Sequence, residues 1–301
     1  MALKGIKPEI VVPSKPKIML SGKAGTGKSM FALNAPNPYL IDTEGGATRE
    51  QYAKLLIKNK GSYFGVTEGS QVFEEVIAQV RELATTQHPY KTLIIDSFSK
   101  LYNLEMWAAE KRGISSEFKK SEKEAEKPTR DLLSWLARID MSVILICHQK
   151  DKWGKQAGSK ELVYEGSVFD GYKKLDYELD LWLETKLVGT TRYATVVKSR
   201  VDGFPVGTDI DLDFASFEKL YGKAVVEGPV KPIVLAESGQ VAEIRRLVDL
   251  LKIPEEDFSK WLTKAQATEV DDLSKENGDK MFQFLCEIRD GKRSAKGVLI
   301  K

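Results

Sequence analysis

The chain has 301 residues, and 46 lysines and arginines nearly balance 44 aspartates and glutamates, leaving a formal net charge of +2. This balance excludes a uniformly polycationic protein, so any nucleic-acid surface must be local. Cys147 and Cys286 lack metal-ligand spacing and indicate reduced thiols. With no secretory signal and no apolar run of about 18 residues, the chain is expected to be soluble and cytoplasmic, without a membrane partner.

The first strong pattern follows an N-terminal arm, residues 1–16. The segment Gly22–Ser29 matches the phosphate-binding loop G-x-x-x-x-G-K-[S/T] at every fixed position. An apolar strand precedes the loop and a helix follows it. An ordinary glycine turn before a helix is the alternative, but it would not explain the Lys-Ser pair. Lys28 is expected on the β- and γ-phosphates of ATP, and Ser29 on Mg²⁺. The predicted nucleotide-binding residues are Gly22, Lys23, Ala24, Gly25, Thr26, Gly27, Lys28, Ser29 and Met30.

Two further apolar strands end in acids. The strand at 39–42 leads to Glu44, and the strand at 92–96 ends in Asp96. If the first of them lies beside the phosphate-loop strand, Glu44 faces the γ-phosphate and can orient a water molecule for attack. Asp96 follows the Walker B pattern and is expected to hold Mg²⁺ together with Ser29. A turn acid without function is the alternative for Glu44.

A later apolar strand, 142–147, carries a polar amide at its end. Gln149 is placed to hydrogen-bond the γ-phosphate and report hydrolysis to the segment 150–172, which we expect to be a loop. Between Lys150 and Lys174 six lysines face four acids, with aromatic residues interleaved, a composition that suits single-stranded DNA. A disordered surface loop is the alternative. The predicted DNA-binding residues are Lys150, Lys152, Trp153, Lys155 and Lys160.

The remaining segments complete the predicted organisation. Two-residue periodicity at 177–184 and 191–198 predicts an antiparallel hairpin turning at Val188-Gly189, and a last strand is expected near 210–212. The core is therefore assigned to 17–218, followed by a linker at 219–237, a small helical domain at 238–290 and a basic tail at 291–301. The predicted fold class is α/β, with a mainly parallel sheet flanked by helices and antiparallel strands at one edge.

Taken in order, these motifs resemble those of RecA-type ATPases, a group that includes RecA and the archaeal and eukaryotic strand-exchange recombinases. Tyr39–Gly45 resembles the segment that ends in the family's catalytic glutamate, and Leu93–Ser97 resembles its Walker B strand. Gln149 falls where the family couples the γ-phosphate to a DNA-binding loop. Lys198-x-Arg200 resembles a basic pair that reaches the ATP of a neighbouring subunit. The resemblance covers roughly residues 16–215.

The compact form, with a short spacing between the phosphate loop and Glu44, is most similar to RecA-like ATPases of bacteriophages associated with single-strand annealing. The resemblance implies an ATP- and Mg²⁺-dependent ATPase that binds single-stranded DNA, forms a homo-oligomer and works beside an annealing or single-strand-binding protein in the host cytoplasm. Lys28, Glu44, Gln149, Lys198 and Arg200 are the expected catalytic residues. Two alternatives stay open, a ring-forming helicase and a nucleotide-gated binding module for a protein partner.

Overall fold

A computed structural model describes residues 14–114, 120–155 and 162–293 of the chain. These residues form two compact units. The first contains 14–72, 89–114, 140–155 and 162–230, and the second contains 73–88, 120–139 and 231–293. Among the helices in these ranges, none combines the length and the apolar character that crossing a bilayer requires.

The first unit is built on one β-sheet. The central strands are buried on both faces, as β1 shows with Ile18, Met19 and Leu20 fully inaccessible, and such strands are typical of parallel sheets covered by helices. The strands of the described ranges are β1 (Lys17–Gly22), β2 (Pro38–Asp42), β3 (Ser62–Phe64), β4 (Thr92–Asp96), β5 (Ser142–Lys155), β6 (Leu162–Phe169), β7 (Leu181–Val188), β8 (Thr191–Ser199) and β9 (Asp209–Asp211).

The strand order is β3-β2-β4-β5-β1-β7-β8-β9, with β6 paired to β5. Neighbours from β3 through β7 run parallel, whereas β8, β9 and β6 are antiparallel to their partners. The predicted fold class is confirmed, as is the hairpin turning after Val188, which is β7–β8. One helical turn occupies 175–178, so the strand expected from residue 177 begins only at Leu181.

Helices cover the sheet or form the second unit. Phe31, Phe214 and Phe217 join α1 to α7 within the core of the first unit, with ring centroids 5.4 to 5.8 Å apart. The α-helices are α1 (Lys28–Leu33), α2 (Glu50–Lys58), α3 (Phe73–Thr85), α4 (Phe98–Lys111), α5 (Lys120–Arg138), α6 (Leu175–Glu178), α7 (Phe214–Tyr221), α8 (Lys223–Val226), α9 (Ser238–Leu250), α10 (Glu255–Lys264) and α11 (Lys275–Arg289).

The second unit combines α3 and α5 with the three C-terminal helices, which have a hydrophobic core of their own around Ile244, Leu247 and Leu285. Trp135 of α5 is buried, and the guanidinium of Arg138 lies 4.1 Å from its ring centroid. The expected division at 219–237 differs from this arrangement, because that segment contains the end of α7 and all of α8. Helices distant in sequence thus share one unit, which a linear division of the chain does not capture.

Candidate nucleotide site

The phosphate loop (Gly22–Ser29) joins the carboxyl end of β1 to α1. Gly25 and Gly27 adopt φ angles of 80° and 103°, in the region that favours glycine. The buried Nζ of Lys28 donates hydrogen bonds to the carbonyls of Gly22 and Lys23, each at 2.8 Å. Burial lowers the pKa of Lys28, although the nearby Asp96 opposes this shift. The loop therefore wraps around a lysine whose charge would be well placed to bind a phosphate.

Strand β7 fixes the loop from the side, a role that the sequence did not reveal. The hydroxyls of Thr185 and Thr26 are 2.6 Å apart, and Thr185 also donates to the Ser21 carbonyl at 3.0 Å. A Cβ on Gly22 would lie 2.0 Å from the Thr185 hydroxyl and 2.8 Å from its carbonyl oxygen. Glycine is thus required at residue 22 because β7 passes directly against it, and only the strand pairing makes this visible.

Ser29 and Asp96 meet beside the loop, as predicted from the Walker A and B patterns. The Ser29 hydroxyl donates to Oδ2 of Asp96 at 2.5 Å. Burial raises the pKa of Asp96, and this hydrogen bond partly offsets the rise. A hydroxyl and a carboxylate next to a phosphate loop are the hard oxygen donors that Mg²⁺ takes when phosphates and water complete its coordination. The two residues fit a Mg²⁺ ion accompanying a nucleotide.

Glu44 reaches the same place by a different route from the one expected. Strand β2 is not beside β1, because β4 and β5 lie between them. Asp42 shapes the turn after β2, accepting hydrogen bonds from the backbone of Glu44, Gly45 and Ala47. Since parallel strands end at the same sheet edge, Glu44 still lines one cavity of about 530 Å³ with the phosphate loop, Asp96 and Gln149. We call this the phosphate-loop cavity.

Strand β5 supplies the next polar side chains at the point where its pairing with β1 ends. His148 is paired with Gly22 across the β1–β5 ladder, and its Nε2 lies 3.5 Å from Oε1 of Glu44. The Gln149 amide donates to Oε1 of Glu184 at 2.5 Å. Gln149 thus lines the phosphate-loop cavity. His148, to which the sequence analysis assigned no role, lines the same cavity next to Glu44.

A second cavity, of about 450 Å³, opens on the other side of the loop. Met30, one of the predicted nucleotide-binding residues, lines it together with Tyr52 of α2 and Arg192 of β8. A Cβ on Gly27 would lie 2.8 Å from Cδ of Arg192, so the arginine stem passes directly over the loop. This Arg192 cavity is large enough for a nucleoside. No sequence motif marks Arg192, because its position depends on the β7–β8 register.

The segment 150–172 is not the loop that the sequence predicted. In its described part, the end of β5 pairs antiparallel with β6, and we call these two strand segments (Lys150–Lys155 and Leu162–Phe169) the β5–β6 hairpin. Trp153 and Tyr164 pair across it with ring centroids 5.5 Å apart, and their side chains are 57% and 48% exposed. The aromatic and β-branched residues of the two segments, Trp153, Val163, Tyr164, Val168 and Phe169, favour strand pairing over an open loop.

The charges on this hairpin are more balanced than the lysine count indicates. Lys150 pairs with Asp170 at 2.5 Å, and Lys152 pairs with Glu165 at 2.8 Å. Lys160 and the side chain of Lys155 lie outside the described residues. Exposed aromatic surface is therefore a clearer feature of the described hairpin than excess positive charge.

Lys198 and Arg200 do not approach the phosphate loop of their own chain. Lys198 pairs with Trp182 toward the amino end of β7, whereas Thr185 is the residue that pairs with Gly22. Its Nζ donates to the carbonyls of Asp176 and Leu179, and Arg200 donates to the carbonyl of Tyr177 at 2.8 Å. Both cations thus stabilise the segment before β7, at the opposite sheet edge.

A phosphate loop, a Walker B acid and a polar strand end on a mainly parallel sheet define a P-loop nucleotide-binding core. The AAA domain family model matches residues 14–203, and the chain belongs to that family. A solved structure of the RadB recombinase is similar over 65% of this chain and 86% of that one, with 15% identity and a TM-score of 0.36. No curated protein matched the chain.

Proposed function

We propose that this protein is an ATP- and Mg²⁺-dependent ATPase that binds single-stranded DNA on the β5–β6 hairpin and acts in DNA recombination or annealing. One observation carries the proposal. The hairpin follows directly after Gln149, which lines the phosphate-loop cavity. An exposed aromatic ribbon and a nucleotide cavity therefore share one continuous strand.

The chemistry follows from the residues around the cavity. Lys28 and the loop amides bind the phosphates, while Ser29 and Asp96 hold Mg²⁺, which supplies charge stabilisation when it is bound. Glu44 orients the attacking water molecule. The nucleoside occupies the Arg192 cavity, where the arginine covers one wall.

DNA binding rests on the hairpin side chains. Trp153 and Tyr164 offer stacking surfaces for bases, and stacking contributes about 1–3 kcal/mol per base. Lys150 and Lys152 would exchange their carboxylate partners for DNA phosphates, so their contribution is smaller than that of unpaired lysines. Oligomerisation belongs to the same proposal, with Lys198 and Arg200 completing the site of a neighbouring subunit and an annealing or single-strand-binding protein as the partner.

The experiment compares two tryptophans that are equally exposed. Trp153 on the hairpin and Trp107 on α4 are both 57% accessible. We expect Trp153→Ala to weaken binding of a fluorescent oligo-dT by about 5- to 150-fold, the range that one stacked base provides. Trp107→Ala is the control and should leave the affinity unchanged. Equal affinities for the wild type and both variants would refute the DNA-binding surface.

A second candidate function has an observation in its favour. The hairpin also exposes Leu162 and Val163, and ion pairs offset two of its lysines. These features suit a protein partner, for which ATP would order the hairpin and turnover would be incidental. This nucleotide-gated binding module predicts ATP binding with little effect of DNA on hydrolysis. A ring-forming helicase shares the ATP chemistry and is distinguished by a closed ring in electron micrographs.

A further inference from the structure

We propose that His148 is a positioning residue for Glu44 and that it transmits the state of the β5–β6 hairpin to that carboxylate. This inference rests on the proposed function, in which Glu44 orients the water that attacks ATP. It assigns a role to a residue that no sequence motif marks, and it connects the hairpin to the carboxylate that orients the attacking water.

The Glu44 carboxylate is held from three sides. The Ser97 hydroxyl donates to Oε1 at 2.7 Å, and Nε2 of His148 lies 3.5 Å from the same oxygen. Lys100 approaches Oε2 at 3.8 Å. Because Glu44 is 36% exposed, its side chain would otherwise be free to take several rotamers. These contacts select one orientation within the phosphate-loop cavity.

Among these three contacts, His148 alone comes from the strand that becomes the hairpin. Ser97 and Lys100 lie at the start of α4, and Ser97 also accepts a hydrogen bond from the Lys100 amide there. His148 lies on β5, one residue before Gln149. Of the three contacts, the one from His148 is therefore the most direct connection between the hairpin and the Glu44 carboxylate.

The His148 backbone is tied to α4 on one side and to the residue that follows β6 on the other. Its N–H donates to the Ser99 hydroxyl at 2.8 Å, and its carbonyl accepts from the Asp170 amide at 2.8 Å. The Asp170 carboxylate in turn accepts from Lys150 at 2.5 Å and from Asn103 at 2.8 Å. A ligand that draws Lys150 away from Asp170 thus acts on the residue that holds the His148 carbonyl.

The consequence is a specific effect on turnover. An error of about 1 Å in the position of a catalytic group can cost about 10²-fold in rate, whereas nucleotide affinity depends on the loop and Mg²⁺ ligands. Loss of the imidazole should therefore lower kcat and leave KM for ATP nearly unchanged. It should also uncouple turnover from the hairpin while the hairpin still binds its ligand.

Three variants of His148 separate positioning from a structural role. In His148→Gln the amide nitrogen reaches about as far as Nε2, in His148→Asn it falls short, and His148→Ala has no polar group. We expect Gln to retain most of kcat, and Asn and Ala to lose about tenfold or more, with KM changed less than about threefold. Stimulation by oligo-dT should be lost in Asn and Ala although its Kd is unchanged.

The possible failures are distinguishable. If Asn and Ala keep wild-type kcat and oligo-dT stimulation, the positioning role is overturned while the proposed function stands. If all three variants lose activity together with thermal stability, the residue is structural and the inference is again overturned. If the wild-type protein binds an ATP analogue but hydrolyses no ATP, the proposed function fails and this inference falls with it.

Discussion

Lys17, the first residue of β1, offers a quantitative test of how the sheet is held together. Its Nζ donates to the Met141 carbonyl at 2.8 Å and so joins the start of β1 to the residue just before β5. The phosphate loop begins at the other end of β1, where Gly22 pairs with His148 of β5. Burial lowers the pKa of Lys17 from 10.5 to about 7, although Asp180 and Asp140 oppose the shift.

The sign of the pH effect follows from this pKa. Between pH 7 and pH 10.5 the unfolded chain carries a proton on Lys17 that the folded chain has released, so stability rises with pH. The slope for one proton is about 1.4 kcal/mol per pH unit, and pH 6 to pH 9 includes about two such units. Lys17 should therefore contribute about 3 kcal/mol of additional stability at pH 9 relative to pH 6.

Urea unfolding of the wild type and Lys17→Met at both pH values measures this contribution. The difference in unfolding free energy between the two proteins should move by about 3 kcal/mol in favour of the wild type at pH 9. Lys54→Met is the control, since Lys54 is an exposed lysine of α2 and should show no comparable movement. A difference that stays constant between pH 6 and pH 9 would refute the assignment of a neutral, buried Lys17.

Three further outcomes test the site and its surroundings. Ser29→Ala removes the hydroxyl beside Asp96 that would be a ligand of Mg²⁺. The gain in ATP affinity on adding Mg²⁺ should therefore shrink by about tenfold, or about 1.4 kcal/mol, in fluorescent-nucleotide titrations, and an unchanged gain would exclude Ser29 as a metal ligand. Thr185→Val leaves the Ser21 carbonyl without its hydroxyl donor. The substitution should lower Tm and weaken ATP binding together. If neither changes, β7 does not hold the phosphate loop in place. Burial raises the pKa of Cys147 to about 12. Mass spectrometry after alkylation at pH 8 should therefore show Cys286 modified in the native protein and both thiols modified in urea. Rapid modification of Cys147 in the native protein would contradict its burial on β5.

The sequence was sufficient to predict those parts of the site that are formed by residues adjacent to one another along the chain. The phosphate loop and Asp96 are readable because a short pattern specifies both the backbone turn and the chemistry. Their contact was predictable as well, since both follow strands that end at one sheet edge.

Other parts depend on strand order and register, which one sequence does not specify. Strand β2 does not lie beside β1, which was the condition for Glu44 to face the γ-phosphate, yet Glu44 lines the phosphate-loop cavity because the parallel strands meet at the same sheet edge. Thr185, Arg192 and His148 were not identified from the sequence, because each contacts a residue that is far away along the chain. The β5–β6 hairpin was expected to be a loop, because its glycines and lysines are typical of loops and the pairing of Trp153 with Tyr164 depends on the register of two strands.

The most direct test of the account is steady-state ATP hydrolysis with and without oligo-dT, for the wild type, Glu44→Gln and Glu50→Gln. Glu50 is an exposed acid of α2 and provides the matched control. We predict that oligo-dT stimulates the wild type and Glu50→Gln, and that Glu44→Gln loses turnover while still binding ATP and oligo-dT. Hydrolysis that persists in Glu44→Gln, or that oligo-dT leaves unchanged in the wild type, would contradict the central claim.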